Sequence, residues 1–217
     1  MGTRWRERTG RGVELSLRSR LRAGDQSAFG EIFDEHASAL YGYAVRTLGD
    51  WAAAEDAVSL TFLEAWRLRE KLHEEGEGVR PWLFGIATNV LRNTTRAARR
   101  HRAALARLPA RETVPDFADE LAGRLDADAE LAAARRALAR LRRADREVFL
   151  LCVWSGLEYA ATAEALGIPV GTVRSRLSRA RSRLRELTAR ELEPDRGIGQ
   201  VRGGHGHVAR SIQEQIR

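Results

Sequence analysis

Residues 158–187, EYAATAEALGIPVGTVRSRLSRARSRLREL, constrain the fold more than any other part of the chain. They predict two helices with a tight break between them. The first is short and apolar on one side through Ala160, Ala163 and Leu166. Gly167 tolerates the positive φ of a helix end. Pro169 suits the opening of the next helix, where its missing N–H would have had no partner. From Val170 onward, Val173, Leu177, Ala180, Leu184 and Leu187 recur at the spacing of one buried stripe. The other face holds Arg174, Ser175, Arg176, Ser178, Arg179, Arg181, Ser182 and Arg183. A near-neutral helix, a short turn with Gly and a basic second helix make the helix-turn-helix pattern of a major-groove reader.

Arginine pairs bidentately with guanine edges and with phosphates, and serine contacts either. The competing reading is a solvated amphipathic helix. Solvated faces usually mix acids with bases to form i,i+4 pairs, whereas this helix carries no acid before Glu186. The single sign of charge favours DNA.

The whole chain agrees with a polyanionic partner: its net charge is +7 and its pI about 10.7. An anionic membrane surface would also suit a basic protein, but no uninterrupted apolar run is long enough to cross a bilayer. The N-terminus MGTRWRERTGRGVELSLRSR lacks the apolar core of a secretory signal. Cys152 is the only cysteine, so no internal disulfide forms, and a reducing cytoplasm fits. Its setting, VFLLCVW, reads as that of a buried small hydrophobe. Ala, Leu, Arg and Glu dominate, aromatic content is 6%, and no period-two alternation is visible, so the class is all-α.

With 217 residues the chain divides into two helical units. Residues 1–14 read as disordered. In the first domain, 15–108, Asp25 caps a helix carrying Phe29, Ile32, Phe33, Leu40, Ala44 and Leu48 on one side, and Gly49 ends it. Asp50 caps a second helix, about Trp51 to Leu72, which buries Val58, Phe62, Ala65 and Trp66 and shows Glu55, Asp56 and Glu64. A polar loop, Glu74 to Gly78, follows. Pro81 opens a third helix with Leu83, Ile86 and Val90 inward, which turns basic through Arg92, Arg96, Arg99, Arg100, His101 and Arg102. Pro109 and Pro115 break the helical pattern, and Asp116, Asp119, Glu120, Asp126 and Asp128 make 109–128 an acidic, flexible linker with a short helix around Phe117 to Leu125. The second domain, 129–192, has a stripe of Leu131, Leu138 and Leu141, then Val148, Phe149, Leu151, Cys152 and Trp154 beneath the helix-turn-helix. The tail 193–217 is Gly-rich and mobile in this reading. His205 and His207 lie there without the further ligands a metal needs, so no metal site is expected. There is no nucleotide cradle, nucleophile elbow or zinc signature, and no cofactor is expected.

Three blocks in order carry a specific resemblance: GDWAAAEDAVSLTFLEAWR (49–67), RPWLFGIATNVLRN (80–93) and REVFLLCVWSGLEYAATAEALGIPVGTVRSRLSRARSRLREL (146–187). On these blocks the chain resembles the extracytoplasmic-function (group four) sigma factors of bacterial RNA polymerase, over most of residues 15–190. The resemblance implies a transcription initiation factor that binds core polymerase, through its beta-prime clamp coiled coil and beta flap, and recognises and helps melt promoter DNA. It also implies an anti-sigma protein as a partner.

Residue by residue, the resemblance implies that the helix matching 54–66 docks on the clamp, with Glu55, Asp56, Phe62 and Trp66 at its face. Core packing is an equal reading for Phe62 and Trp66, whereas Asp56 suits an arginine-rich partner helix. The helix matching 82–100 opens and reads the minus-ten element. Asn89 and Asn93 fall on one helical face and their amides can pair with an exposed base edge; Arg92, Arg96, Arg99 and Arg100 hold phosphates. The helix from Val170 enters the major groove at minus thirty-five with Thr172, Arg174, Ser175, Ser178, Arg179 and Arg181. Two departures stand out. Family members often carry Gln-Glu or Gln-Asp in place of Ser59-Leu60, and Tyr-Glu-Glu-Ile in place of Tyr159-Ala160-Ala161-Thr162.

Two rivals remain at this stage. A helix-turn-helix regulator acting without polymerase would usually dimerise, and no sustained heptad seam is visible. A nucleic-acid-processing enzyme would need clustered carboxylates, but Glu31, Asp34 and Glu35 sit beside an ordinary apolar stripe. The expected protein does no bond chemistry.

Overall fold

The computed structural model describes residues 16–73, 78–106 and 136–192. The N-terminal segment, most of the polar loop, the acidic linker with its short helix, Leu131 and the Gly- and His-containing tail lie outside these residues. Among the described residues every regular element is helical, as the composition implies.

Helix α1 (Leu17–Arg22) closes one end of a three-helix unit formed by α2 (Gln26–Leu48), α3 (Trp51–Leu68) and α4 (Arg80–Leu105). The start signals are the predicted ones. Asp25 accepts hydrogen bonds from the Ser27 and Ala28 amides, and Asp50 accepts one from Ala53, so each carboxylate satisfies N–H groups the helix cannot. Gly49 stops α2 at φ 75°. Pro81 sits in the first turn of α4. Helix α3 ends earlier than expected: a 3₁₀ turn, Arg69–Lys71, takes over after Leu68.

In the second unit a helical turn at 136–139 precedes α5 (Arg143–Phe149), which widens into a π-type turn over Leu150–Trp154. Gly156, at φ 63°, then lets the chain turn into α6 (Tyr159–Leu166). Gly167 ends α6 at φ 63°, and α7 (Val170–Leu192) follows. All five stripe residues of α7, from Val173 to Leu187, are at most 2% exposed.

The buried stripes differ from expectation at three places. Phe33 is 48% exposed and Trp66 is 37% exposed. In α6, Ala163 is buried as expected, but Ala160 is exposed and Ala161 and Thr162 are buried in its place. Successive residues on a helix point about 100° apart, so which edge of an apolar sector is covered depends on where the neighbouring helix lies.

The two units are not separate bodies. One apolar cluster runs from Leu40, Tyr43 and Phe84 of the first through Leu138, Val148 and Leu150 to Val173 and Leu177 of the second. Helix α4 crosses α6 so closely that a Cβ added at Gly85 would lie 2.7 Å from the Ala165 carbonyl oxygen. Polar ties surround this contact. Arg92 donates to both oxygens of Glu147 at 2.9 and 2.7 Å. Arg80 donates to the Ser155 carbonyl, and the Arg46 guanidinium lies 5.0 Å from the Trp154 ring centroid. Arg18, buried, donates to the His73 carbonyl at 2.6 Å and to that of Gly78, and stands 3.9 Å from Glu164.

Candidate nucleic-acid interface

Two arginine-bearing helix faces dominate the surface. On α7, burial of the Val173–Leu187 stripe turns the opposite side to solvent. Arg174, Ser175, Ser178 and Arg179 are exposed, and Thr172 is half-buried. The Ser175 hydroxyl donates to the Thr172 carbonyl at 3.0 Å, so it is ordered against the first turn of α7. Arg179 also donates to Asp145 of α5 at 3.2 Å; that carboxylate is only 9% exposed, and the contact ties the recognition helix to its support. Arg181 is half-buried and its Nε is covered, so its guanidinium stem is drawn toward the body of the unit, unlike Arg174 and Ser178.

On α4, Asn89, Asn93, Arg96, Arg99 and Arg100 are exposed. Arg92 differs from them: the Glu147 carboxylate engages it, which raises its already high pKa, and the Asn89 amide oxygen lies 3.3 Å from it. This guanidinium is therefore already bound when the two units are packed together. Tyr43 and Thr88 form a buried hydroxyl pair at 3.0 Å beneath this face, and burial pushes the Tyr43 phenol well up, so it stays protonated.

A third face, on α3, is apolar and acidic. Glu55 and Asp56 are exposed. Phe62 is half-buried, packs against both apolar clusters and has its ring 4.9 Å from that of Phe33. Trp66 meets the edge of Phe29 at 4.7 Å and carries the Arg69 guanidinium over its ring at 4.9 Å. Leu60 and Leu63, 47% and 66% exposed, complete an apolar strip that sequence reasoning missed. The available signal was their place four and seven residues after Asp56, on the same solvent face. Monomeric surfaces rarely leave such side chains together without a partner.

Residues 32–101 match the family Sigma-70 region 2, and residues 131–184 match Sigma-70, region 4. The chain is 36% identical over 174 residues to the ECF RNA polymerase sigma factor SigL of Mycobacterium tuberculosis, an alignment spanning 78% of this chain and 93% of that protein. The chain belongs to the ECF sigma factors of RNA polymerase. Another relative is the RNA polymerase sigma factor NccH of Alcaligenes xylosoxydans xylosoxydans, 34% identical over 181 residues, or 81% of this chain and 94% of NccH. Among solved structures, CnrH in complex with the cytosolic domain of CnrY matches with a TM-score of 0.60 at 28% identity, over 81% of this chain and 96% of CnrH. The sigma factor RpoE in complex with the anti-sigma factor NepR, from Bartonella quintana, matches at 0.52 and 27%, over 77% and 98%.

In this sigma factor the arginine face of α4 lies in the region 2 match and the helix-turn-helix in the region 4 match. The Glu31 carboxylate accepts from Arg20 of α1 at 2.8 Å, so it serves an ion pair between α1 and α2. Cys152 is half-buried, 3.3 Å from the Thr162 hydroxyl, and burial raises its thiol pKa. No helix among the described residues is long and apolar enough to cross a membrane.

Proposed function

We propose that this sigma factor divides its work among three helices. The exposed strip of α3, with Glu55, Asp56, Leu60, Leu63 and Trp66, docks on the clamp coiled coil of core polymerase. Helix α4 engages the minus-ten element through Asn89 and Asn93, with Arg92, Arg96, Arg99 and Arg100 on the strand phosphates. Helix α7 enters the major groove at minus thirty-five, with Arg174, Ser175 and Ser178 foremost, supported by Thr172, Arg179 and Arg181. Domain limits of 15–108 and 129–192 follow from the same reading. The protein works in the cytoplasm, makes and breaks no covalent bond, and is held in reserve by an anti-sigma protein, as the neighbouring RpoE was captured with the anti-sigma factor NepR.

The observation that supports this most is the pair of arginine faces on one chain, in the order region 2 then region 4. Their present arrangement adds a condition. The two promoter elements lie roughly 25 base pairs apart, about 85 Å at ~3.4 Å per base pair. Helix α4, the longest among the described residues at 26 residues, spans about 39 Å. Because α4 abuts α6 in one packed body, the proposal includes opening of the Gly85–Ala165 contact when the promoter is bound.

Run-off transcription with purified core polymerase on a panel of promoters tests the reading. Transcription from a subset of promoters only when the chain is added supports it. Equal promoter selectivity by the chain alone, with no association with core polymerase, would show instead a regulator that acts by itself.

A further inference from the structure

We propose that the cleft between α4 and α5 binds a compact polyphosphate, either a nucleoside polyphosphate or a short inorganic one, that bridges the two helical units. The cleft encloses about 460 Å³, the scale of a small-molecule site and far too small for a duplex. One wall is the C-terminal half of α4 with Arg96, Arg99 and Arg100; the other is α5 with Arg143 and Arg146. Arg92, Arg96 and Arg99 recur at i, i+4 and i+7, so these arginines stack along a single side of α4, which Ala103 continues.

Among the described residues the only acid lining the cleft is Glu147, and Arg92 and Arg143 already hold it, at 2.7 and 3.6 Å. Arg96, Arg99, Arg100 and Arg146 have no carboxylate partner among the described residues. Guanidinium groups converging on a concave, partly apolar surface repel one another and focus a positive potential into it. A ligand with several adjacent phosphate oxygens relieves that repulsion and offers each arginine a charge-assisted, two-pronged contact. Leu91 and Leu150 line the same cleft and offer an apolar surface to the body of a ligand.

Arg143 and Arg146 have no part in the promoter contacts proposed above, so the site does not depend on that reading. A ligand touching both walls holds the closed arrangement and takes Arg96, Arg99 and Arg100 away from DNA phosphates.

Isothermal titration of the full chain with tripolyphosphate, and separately with ATP, without divalent metal and at fixed ionic strength, tests this. One ligand per chain is expected. Arg143→Ala/Arg146→Ala should weaken binding at least about tenfold through two lost charged contacts, and Arg99→Ala/Arg100→Ala, on the opposite wall, should do the same. Arg136→Ala/Arg140→Ala removes equal charge from exposed positions outside the cleft and should change affinity by no more than about twofold, as screened surface charges do. Tighter binding of ATP than tripolyphosphate assigns the site to nucleotides; equal binding assigns it to the phosphate chain alone. No binding of either, several ligands per chain, or equal losses in the Arg136/Arg140 control would overturn the proposal.

Discussion

Gly85→Ala separates two effects that usually travel together. Gly85 lies inside α4, in its second turn, so adding a methyl should stabilise that helix by roughly 0.5–1 kcal/mol. The same methyl meets Ala165 of α6 at 2.7 Å from its carbonyl oxygen, 3.4 Å from Cα and 3.5 Å from the carbonyl carbon. All three atoms are backbone, held within a helix, and they cannot rotate away. Overpacking of this kind costs about 1–3 kcal/mol, and here the cost falls entirely on the contact between the two units. If closed and open arrangements exchange, that penalty shifts their ratio about 5- to 150-fold toward open. Gly30 of α2, where an added Cβ meets nothing within 4 Å, provides the matched control. Gly30→Ala should raise the thermal midpoint by roughly 1–4 °C with no change in small-angle scattering. Gly85→Ala should lose that gain and show a larger radius of gyration. A Gly85→Ala chain that is stabilised like Gly30→Ala and scatters like the parent would refute the account of the interface.

Leu63→Asp should leave the thermal midpoint unchanged, because the side chain is already 66% exposed, yet weaken association with core polymerase by about tenfold or more, measured by fluorescence anisotropy. Unaltered affinity would remove the α3 strip from the docking face. Arg174→Ala should cost about 1–3 kcal/mol at the upstream element and relax its sequence preference; if holoenzyme binding to specific and random DNA falls equally, Arg174 touches only phosphate. Burial holds the His36 pKa below its ordinary value, against the opposing pull of Glu35. A lowered folded pKa means the unfolded chain binds the proton more readily, so this contribution is complete above the ordinary histidine range and fades as pH falls through about 6.5 and below. Urea unfolding of the parent and of His36→Gln between pH 5 and 7 should show the parent losing more stability on acidification, and parallel curves would contradict it.

What could be read from the chain was its local logic. Asp25, Asp50, Gly49, Pro81 and Gly167 are start and stop signals that act within a few residues, through hydrogen bonds and permitted φ values, and each stands where the chain predicts. The α7 stripe was legible for a related reason: five apolar residues against an uninterrupted arginine and serine face leave one side that can be buried. That asymmetry also located the candidate DNA-facing residues of α7.

Contacts between distant segments were not legible in this way. Nothing in the periodicity of α4 distinguishes Arg92 from Arg96 or Arg99, yet Arg92 alone reaches Glu147, 55 residues on. Nothing in α7 sets Arg179 apart from Arg174 until Asp145 is seen beside it. Trp66 reads as core from its spacing, yet it is 37% exposed beside Leu60 and Leu63 once α2 and α4 cover the other side of α3. The residues by themselves determined that this chain makes basic amphipathic helices, where they begin and end, and the family they serve. Only the tertiary structure decided which arginines stay free, which glycine must remain a glycine, and that the two units share a core, because burial, ion pairing and steric exclusion act between neighbours in space whatever their separation along the chain.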